Sequence, residues 1–409
     1  MTTYAIDARA PGVNGVVLAI VLTGFVASTY GFGVYLFASL VVDMRRDLGF
    51  GYTAVGLITG GAQVGFLSFS VLTSYLGRFF QGWKISLYST LVTALSLLGL
   101  AMSNNIWLSG ALLILLGGCS ASAYIPLAEI VTKSFSANKR ARVMGLISSG
   151  TSYGVFINGL LVSSLTLQGG WRNIWLTAGL VSLGLCVLAY FLLRNTPSPA
   201  IPSSKESVVE PSDQEWLSGP LYLMWLVAFL NGLTLLPFQT YLAPFMREEL
   251  GISASTAGLV WSTIGAVGMA AGFLVGWIAD RIGARLALIL CFTSACVASL
   301  CVYHFNSEGY FYVAGFLFAL AFYPVFGLVP TYIGQIVGVS RLTQAFGIAN
   351  VLIGLGGVCG NFLGGVCKDV LGSFAPLYMF ISIFLLVQLV VVAIDRKSTR
   401  LNSSHQYYL

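Results

Sequence analysis

The sequence alternates long apolar runs with short polar segments. A helix needs about 20 apolar residues to cross a bilayer, so these runs predict twelve membrane-spanning helices. The first run is too long for a signal peptide and lacks a small-residue cleavage site, so we expect it to be a true span. The predicted spans cover residues 14–40, 52–76, 84–103, 106–132, 141–165, 171–194, 219–245, 254–279, 285–304, 310–336, 342–367 and 374–394.

A polar segment rich in Pro and Ser, residues 195–218, separates the first six runs from the last six. The pattern therefore predicts an all-α membrane protein of two six-helix bundles, residues 1–194 and 219–394, joined by a linker. Residues 395–409 resemble a reading-frame translation of a sequencing-library adapter, and we expect them not to belong to the evolved protein. An ordinary polar tail is the alternative.

A short motif occurs once in each half. Met44–Gly49 precedes the second run, and the similar segment Met246–Gly251 precedes the eighth, at an offset of 202 residues. Repetition at corresponding positions favours two related, pseudo-symmetric bundles.

Composition supports a membrane protein, because charged residues make up only 8% of the chain against about 25% in soluble domains. Twelve Lys and Arg fall in segments on the side of the termini and five in the opposite loops. The positive-inside rule therefore predicts cytoplasmic termini, and we expect a multi-pass protein of the bacterial inner membrane. The net charge of +6 reflects these loops and does not indicate nucleic-acid binding.

Chemistry-bearing clusters are sparse in the sequence. The seven cysteines lie in or beside apolar runs without metal-ligand spacing, so we expect them to be packing residues. Ser/His/Asp and phosphate-cradling patterns do not occur either. We therefore expect neither an enzyme nor a protein with a metal or cofactor.

The loop between the eighth and ninth runs, Gly276–Arg285, combines glycines with charged residues. Its spacing, Gly-x-x-x-Asp-Arg-x-Gly-x-Arg, resembles the signature loop of the major facilitator superfamily. The resemblance implies that family's fold of twelve helices in two halves, and transport by alternating access. It also implies that the Asp latches onto the start of the fifth run, whose helix N-terminus would attract a carboxylate.

We expect this latch to hold the cytoplasmic side closed, with Asp280, Arg281, Gly283, Arg285, Arg140 and Arg142 as its residues. A solvated loop that only fixes topology is the alternative. The matching loop of the first half, Leu76–Lys84, lacks the acidic residue, so the latch should depend on the second-half copy.

The resemblance also implies a substrate site near the midplane, between the halves. Intramembrane aromatic and amide residues predict its lining: Tyr30, Tyr124, Asn158, Gln239, Tyr323 and Gln335. Lys and Arg are missing from the central third of every predicted span, which disfavours a multiply charged anion. Glu129 is the only acid well within a predicted span and is our proton-coupling candidate, with an ion pair to Lys133 as the alternative.

The sequence thus predicts a monomeric secondary transporter of a small organic solute, with a monocarboxylate or similar metabolite favoured and protons as a candidate coupling ion. The alternatives are a proton-coupled drug efflux carrier and a non-transporting sensor on the same fold. Gly356–Gly365 resembles a signature of drug/proton antiporters, but Asn361 stands where those proteins have Pro. Spans 5 and 11 are rich in glycine, and we expect these glycines to serve close helix packing.

Overall fold

The computed structural model describes residues 15–194, 217–305 and 307–394. Twelve helices in these ranges are long and apolar enough to cross a membrane, which confirms the predicted number. We number them as spans 1 to 12: Gly15–Leu48, Tyr52–Leu76, Gly82–Met102, Ile106–Ser134, Arg142–Leu165, Gly170–Leu193, Gly219–Glu249, Ala254–Ile282, Ala284–His304, Glu308–Val337, Arg341–Leu371 and Ala375–Ile394. The predicted tail, and the predicted linker except for residues 217 and 218, lie outside the described residues.

Spans 1, 7 and 11 are longer than their apolar runs. We predicted that they end at residues 40, 245 and 367, and this is wrong, because the helices continue to Leu48, Glu249 and Leu371. Charged residues assigned to loops, such as Arg45 and Arg247, therefore lie in helices. Their side chains form ion pairs with acids of the other half, which accommodates charged residues in the last helical turns.

The two copies of the repeated motif end spans 1 and 7 in the same way. Gly49 has a φ of 69° and Gly251 a φ of 67°, in the left-handed region that glycine adopts without steric cost. The repeat thus encodes a charged final helical turn followed by a glycine stop, at equivalent places in the two halves.

Two pairs of spans form the most extensive contacts between the halves, span 2 with span 11 and span 5 with span 8. We call the face that carries the loops after spans 1, 3, 5, 7, 9 and 11 the distal face, and the opposite face the terminal face. Towards the distal face these pairs are in backbone contact: a Cβ at Gly365 would lie 2.2 Å from the carbonyl oxygen of Tyr52, and one at Gly159 would lie 2.3 Å from that of Gly258.

The same spans separate towards the terminal face. The contact between spans 2 and 11 reaches Leu67 beside Gly354, and that between spans 5 and 8 reaches Ser152 beside Gly265. Further along, a Cβ at Gly272 or Gly347 would meet no described atom within 4 Å. The halves therefore form a V that is closed at the distal face and open at the terminal face.

Candidate functional site

A cavity of about 50 Å³ lies between the halves, at the closed end of the V. Residues of spans 1, 2 and 4 from the first half and of spans 7 and 11 from the second line it. Three lining residues, Ala38, Gln239 and Asn361, each stand ten residues before the distal end of their span. Ten residues of helix rise about 15 Å, but the last turns of these spans are charged, so the cavity lies in the apolar part of the helices, on the distal side of their middle.

The cavity wall is mostly apolar, with a few amide and hydroxyl groups. Gln239 and Asn361 are 4% and 2% exposed, and their side-chain oxygens have no hydrogen-bond partner among the described residues. The hydroxyls of Thr59 and Thr240 donate to carbonyls of their own helices at 2.8 and 3.0 Å. Gln63 and the Tyr35 hydroxyl also line the cavity and make no side-chain hydrogen bond with the described residues, but Gln239 and Asn361 are the lining amides that are buried.

The lining also contains Gly33, Val34, Tyr35, Phe37, Ile58, Ala62, Gln63, Leu113 and Leu236. None of the lining residues carries a formal charge. Of the predicted binding residues, Gln239 is in this lining, and its binding role stays a prediction. Gln63 was missed, and it lies in span 2, which contains none of the six predicted binding residues. Tyr35 and Asn361 were visible as polar intramembrane residues but had no further signal to distinguish them.

The other predicted binding residues are spread along the opening. Tyr30 packs edge-on against Tyr124 with ring centroids 5.8 Å apart, and the Tyr124 hydroxyl is 2.9 Å from the Ser148 hydroxyl. The Tyr323 ring packs against Gly268 of span 8. Gln335 is exposed near the terminal end of span 10. The described contacts do not bring the six residues into one cluster, and their binding roles stay predictions.

Asn158 has a structural partner in span 1. Span 1 is π-helical over Ala27–Tyr35, and such segments leave carbonyls outside the usual helical pattern. The Asn158 Nδ2 donates to the Gly31 carbonyl at 2.6 Å, and a Cβ at Gly31 would lie 2.4 Å from the Cα of Gly154. Asn158 therefore fixes the irregular turn beside the site, and its buried Oδ1 has no partner among the described residues.

Ion pairs join the repeated helix ends across the distal face. Arg45 donates to Glu248 through Nε at 3.2 Å and through Nη2 at 2.9 and 3.0 Å. Arg247 donates to both carboxylate oxygens of Asp43 at 2.6 and 2.7 Å. Arg45 and Arg247 are 202 residues apart and are therefore equivalent positions of the two repeats. Each forms an ion pair with an acid of the other half.

A further contact across the halves closes the distal side. The carboxylate of Asp369, at the end of span 11, accepts hydrogen bonds from the backbone N–H groups of Tyr52 at 3.0 Å and Thr53 at 2.7 Å. These are unpaired donors at the start of span 2, where a negative charge is favourable. We call Asp43, Arg45, Arg247, Glu248 and Asp369 together the distal lock.

The residues of the expected latch are apart in this state. Asp280 is exposed and makes no hydrogen bond or ion pair with the described residues. Arg140 instead donates to the carbonyls of Phe135 at 3.0 Å and Thr132 at 2.8 Å, at the end of span 4.

The remaining latch residues have local roles or none. The Arg281 guanidinium lies 3.2 Å from the ring centroid of Trp277. Arg285 donates to the carbonyls of Val392 and Ala393, at the end of span 12. Arg142 is exposed, and Gly283 has a φ of 87° in the turn between spans 8 and 9. The halves are apart on the terminal side, where the latch would form, so its residues could not meet in this state. The latch therefore stays a prediction.

Glu129 stands on the terminal face rather than at the midplane. Its side chain is 48% exposed and lies 2.5 Å from the Lys133 ammonium group, which is the ion pair of the alternative interpretation. It borders a cleft of about 310 Å³ together with Arg78. Glu129 is also not the only acid within a span, since Asp43 and Glu248 lie in spans 1 and 7. Its role in proton coupling stays a prediction.

Residues 26–393 match the profile of a protein family described as the uncharacterised MFS-type transporter YbfB. The chain belongs to the major facilitator superfamily of transporters. Within it, the chain is 23% identical to the gallate transporter of Pseudomonas putida over 319 residues, which are 69% of this chain and 70% of that protein. It is 36% identical to human monocarboxylate transporter 14 over 89 residues, which are 21% of this chain and 17% of that protein.

The fold of this major facilitator protein is also that of solved structures. A bacterial homolog of the human lysosomal transporter Spinster superposes with a TM-score of 0.75 at 13% identity, over 94% of this chain and 97% of that chain. Because the chain belongs to this superfamily, the protein is a secondary transporter and not an enzyme, and its twelve apolar spans place it in a bilayer.

Proposed function

We propose that the protein carries a small organic solute, with a monocarboxylate favoured, across the membrane by alternating access. The observation that carries this proposal is an uncharged cavity in the apolar part of the spans, between halves that meet on one side of it and separate on the other. The names of two relatives, a gallate transporter and a monocarboxylate transporter, favour an organic acid as the cargo.

We infer that the termini and the linker face the cytoplasm of a bacterial inner membrane, and that the protein acts as a monomer. The distribution of twelve Lys and Arg against five supports this orientation. In this orientation the V is open to the cytoplasm, and the closed distal face is the outer face. The boundaries at residues 194 and 219 are our proposal for the two halves.

Transport then requires two gates that close in turn. The distal lock holds the outer side shut while solute exchanges with the cytoplasm. When the lock opens, the cytoplasmic ends of the halves approach, and Asp280 reaches the start of span 5 near Arg140 and Arg142. The cavity residues and the aromatic residues of the opening, Tyr30, Tyr124 and Tyr323 among them, serve as the solute pathway between the gates.

A drug/proton antiporter receives less support. Its motif-like segment, Gly356–Gly365, is engaged in packing: a Cβ at Gly356 would lie 2.0 Å from the carbonyl oxygen of Phe229, and one at Gly360 would lie 2.5 Å from that of Leu233. Close approach of span 11 to span 7 accounts for these glycines without a transport role.

Thermal unfolding of the purified protein tests the carrier proposal across a panel of organic acids, sugars and drugs. A ligand at 100 times its Kd stabilises the folded state by about 2.7 kcal/mol, so a true substrate should raise the midpoint of unfolding. Uptake of the same compound into proteoliposomes should follow. A panel in which no compound raises the midpoint and none is taken up would contradict the proposal.

A further inference from the structure

We propose that Gln239 and Asn361 form a subsite that recognises an uncharged polar head group, so that an organic acid binds there in its protonated form. This inference rests on the proposed function and narrows it. It names the part of the solute that the cavity recognises and the protonation state in which an acid enters.

The first support is the unused hydrogen-bonding capacity of two buried amides. Gln239 of span 7 and Asn361 of span 11 line the same cavity, and each leaves its side-chain oxygen without a partner among the described residues. Burying such a group costs free energy unless it is paired. A ligand that supplies the missing partner therefore gains affinity at this place.

The second support is the size and chemistry of the cavity. A cavity needs about 10–15 Å³ to hold one water, so about 50 Å³ holds roughly three to five groups of that size. A primary amide side chain offers both donors and an acceptor. The matching head group is small and has a donor and an acceptor of its own, as a protonated carboxyl or a carboxamide does.

The third support is the position of the charges around the subsite. Tyr35 is the only titratable side chain in the lining. Span 2, which supplies Gln63, has no charged residue along its length. In the other spans around the cavity, formal charges stand near the faces: Asp43, Arg45, Arg46 and Asp47 in span 1, Glu129 and Lys133 in span 4, Arg247, Glu248 and Glu249 in span 7, and Arg341, Lys368 and Asp369 in span 11.

Two arginines lie on the distal side of the cavity and are already paired with acids. Arg45 pairs with Glu248, and Arg247 pairs with Asp43. An ionised carboxylate in the cavity would lose its hydration without gaining a cation. A neutral acid makes the same hydrogen bonds without that loss, so the subsite selects the protonated form. The proton would cross with the solute, and the protein would need no titrating residue at the site.

The rest of the solute would lie in the aromatic part of the opening. Tyr35 of the first half meets Phe322 of the second, edge-on, with ring centroids 6.1 Å apart. Phe322 also packs against Tyr323. Aromatic faces and edges suit an apolar or aromatic body, so the solute class is a monocarboxylic acid with such a body.

Binding of benzoate, benzamide and phthalate to the full-length protein, followed by calorimetry or thermal shift from about pH 5 to about pH 8, tests the inference. A carboxyl group has a pKa of about 4, so the protonated fraction of benzoate falls about tenfold per pH unit across this range. We therefore expect its apparent Kd to rise about tenfold per pH unit. The Kd of benzamide should stay constant, and phthalate, with a second carboxyl group, should bind far more weakly.

Substitution of Gln239 should weaken both ligands. We expect Gln239→Leu and the more similarly shaped Gln239→Met each to raise the Kd of benzamide about tenfold, which corresponds to one lost hydrogen bond. Gln388→Leu is the matched control, because Gln388 is a buried amide that donates to Thr234 at 3.1 Å and does not line the cavity. The unfolding midpoint of each free variant reports whether it is folded.

Three results would overturn the inference: a Kd for benzoate that is independent of pH, an equal loss of affinity in Gln388→Leu, or no binding of either benzoate or benzamide. None of these would by itself refute the carrier proposal. That proposal is judged by the wider solute panel and by the opening and closing of the halves.

Discussion

At the scale of single residues, glycines set how closely the halves can approach. Gly159 faces the backbone of Gly258, and Gly365 faces that of Tyr52, at distances that leave no room for a side chain. The predicted packing role of the glycines in spans 5 and 11 is confirmed at these places. Gly145 and Gly347 have no described neighbour within 4 Å of a Cβ, because they lie where the V is open.

Substitution Gly159→Val should prevent the distal side from closing. The added side chain would meet the carbonyl oxygen of Gly258 and the Ser262 hydroxyl, each 2.3 Å from its Cβ, so the distal-closed state loses stability. A reporter cysteine, Thr240→Cys, in a background without the native cysteines should then become reactive to an impermeant maleimide added at the distal face.

The matched control is Gly184→Val. Gly184 lies in span 6 of the same half, and a Cβ there would meet no described atom within 4 Å. If Gly184→Val and Gly159→Val changed the labelling of the reporter equally, close contact at Gly159 would not be what keeps the distal side closed.

At the scale of elements, the repeated helix ends of spans 1 and 7 are the strongest polar connection between the halves among the described residues. The side chains of Arg247 and Asp43 are 8% and 18% exposed, so this pair is largely shielded from water. Removing one partner of a buried pair costs about 3–5 kcal/mol, because the other charge is left unpaired. The exposed pair of Glu129 and Lys133 should contribute far less.

Charge reversal should therefore open the distal lock, and a second reversal should close it again. In Asp43→Arg, a new arginine faces Arg247, and we expect lower thermal stability together with distal labelling of the Thr240→Cys reporter. In the double variant Asp43→Arg with Arg247→Asp the pair is restored with opposite polarity, so both properties should return towards those of the parent protein.

Lys133→Ala serves as the control for this experiment and should change stability by no more than about 0.5 kcal/mol. A double variant that is no better protected from labelling than Asp43→Arg alone would show that the lock does not hold the distal side.

At the scale of the whole molecule, the two gates stand at opposite ends of one rocking motion. The distal lock is closed in the structure, and Asp280 on the terminal face has no partner among the described residues. Closing the distal lock and closing the Asp280 latch should therefore shift the equilibrium between the terminal-open and distal-open states in opposite directions. A carrier must open to one side at a time if it is to move solute between the two sides.

Substitution Asp280→Asn should shift the protein towards terminal opening, because it removes the charge that would bind the start of span 5. The effect should be clearest in the Asp43→Arg background, where Asp280→Asn should reduce distal labelling. A reporter at Gly272→Cys should then react more with maleimide from the terminal side. Gly272 stands seven residues along from Gly265, on the helix face that meets span 5.

Glu308→Gln is the control, because Glu308 is an exposed acid at the distal start of span 10. The latch hypothesis fails if Asp280→Asn leaves the reactivity of both reporters unchanged, or changes it no more than Glu308→Gln does.

The sequence by itself determined the twelve spans, their repetition in two halves and the lack of charge in the middle of the spans. These features are local, because a bilayer requires long apolar helices and disfavours an unpaired charge at each position within it. It also carried the loop around Asp280 that resembles the family signature. Only the tertiary structure decided which residues meet. Arg45 and Glu248 are 203 residues apart, and Tyr52 and Asp369 are 317 apart. Their contacts, like the shared cavity of Gln239 and Asn361, depend on how two helical bundles dock, which no local pattern specifies.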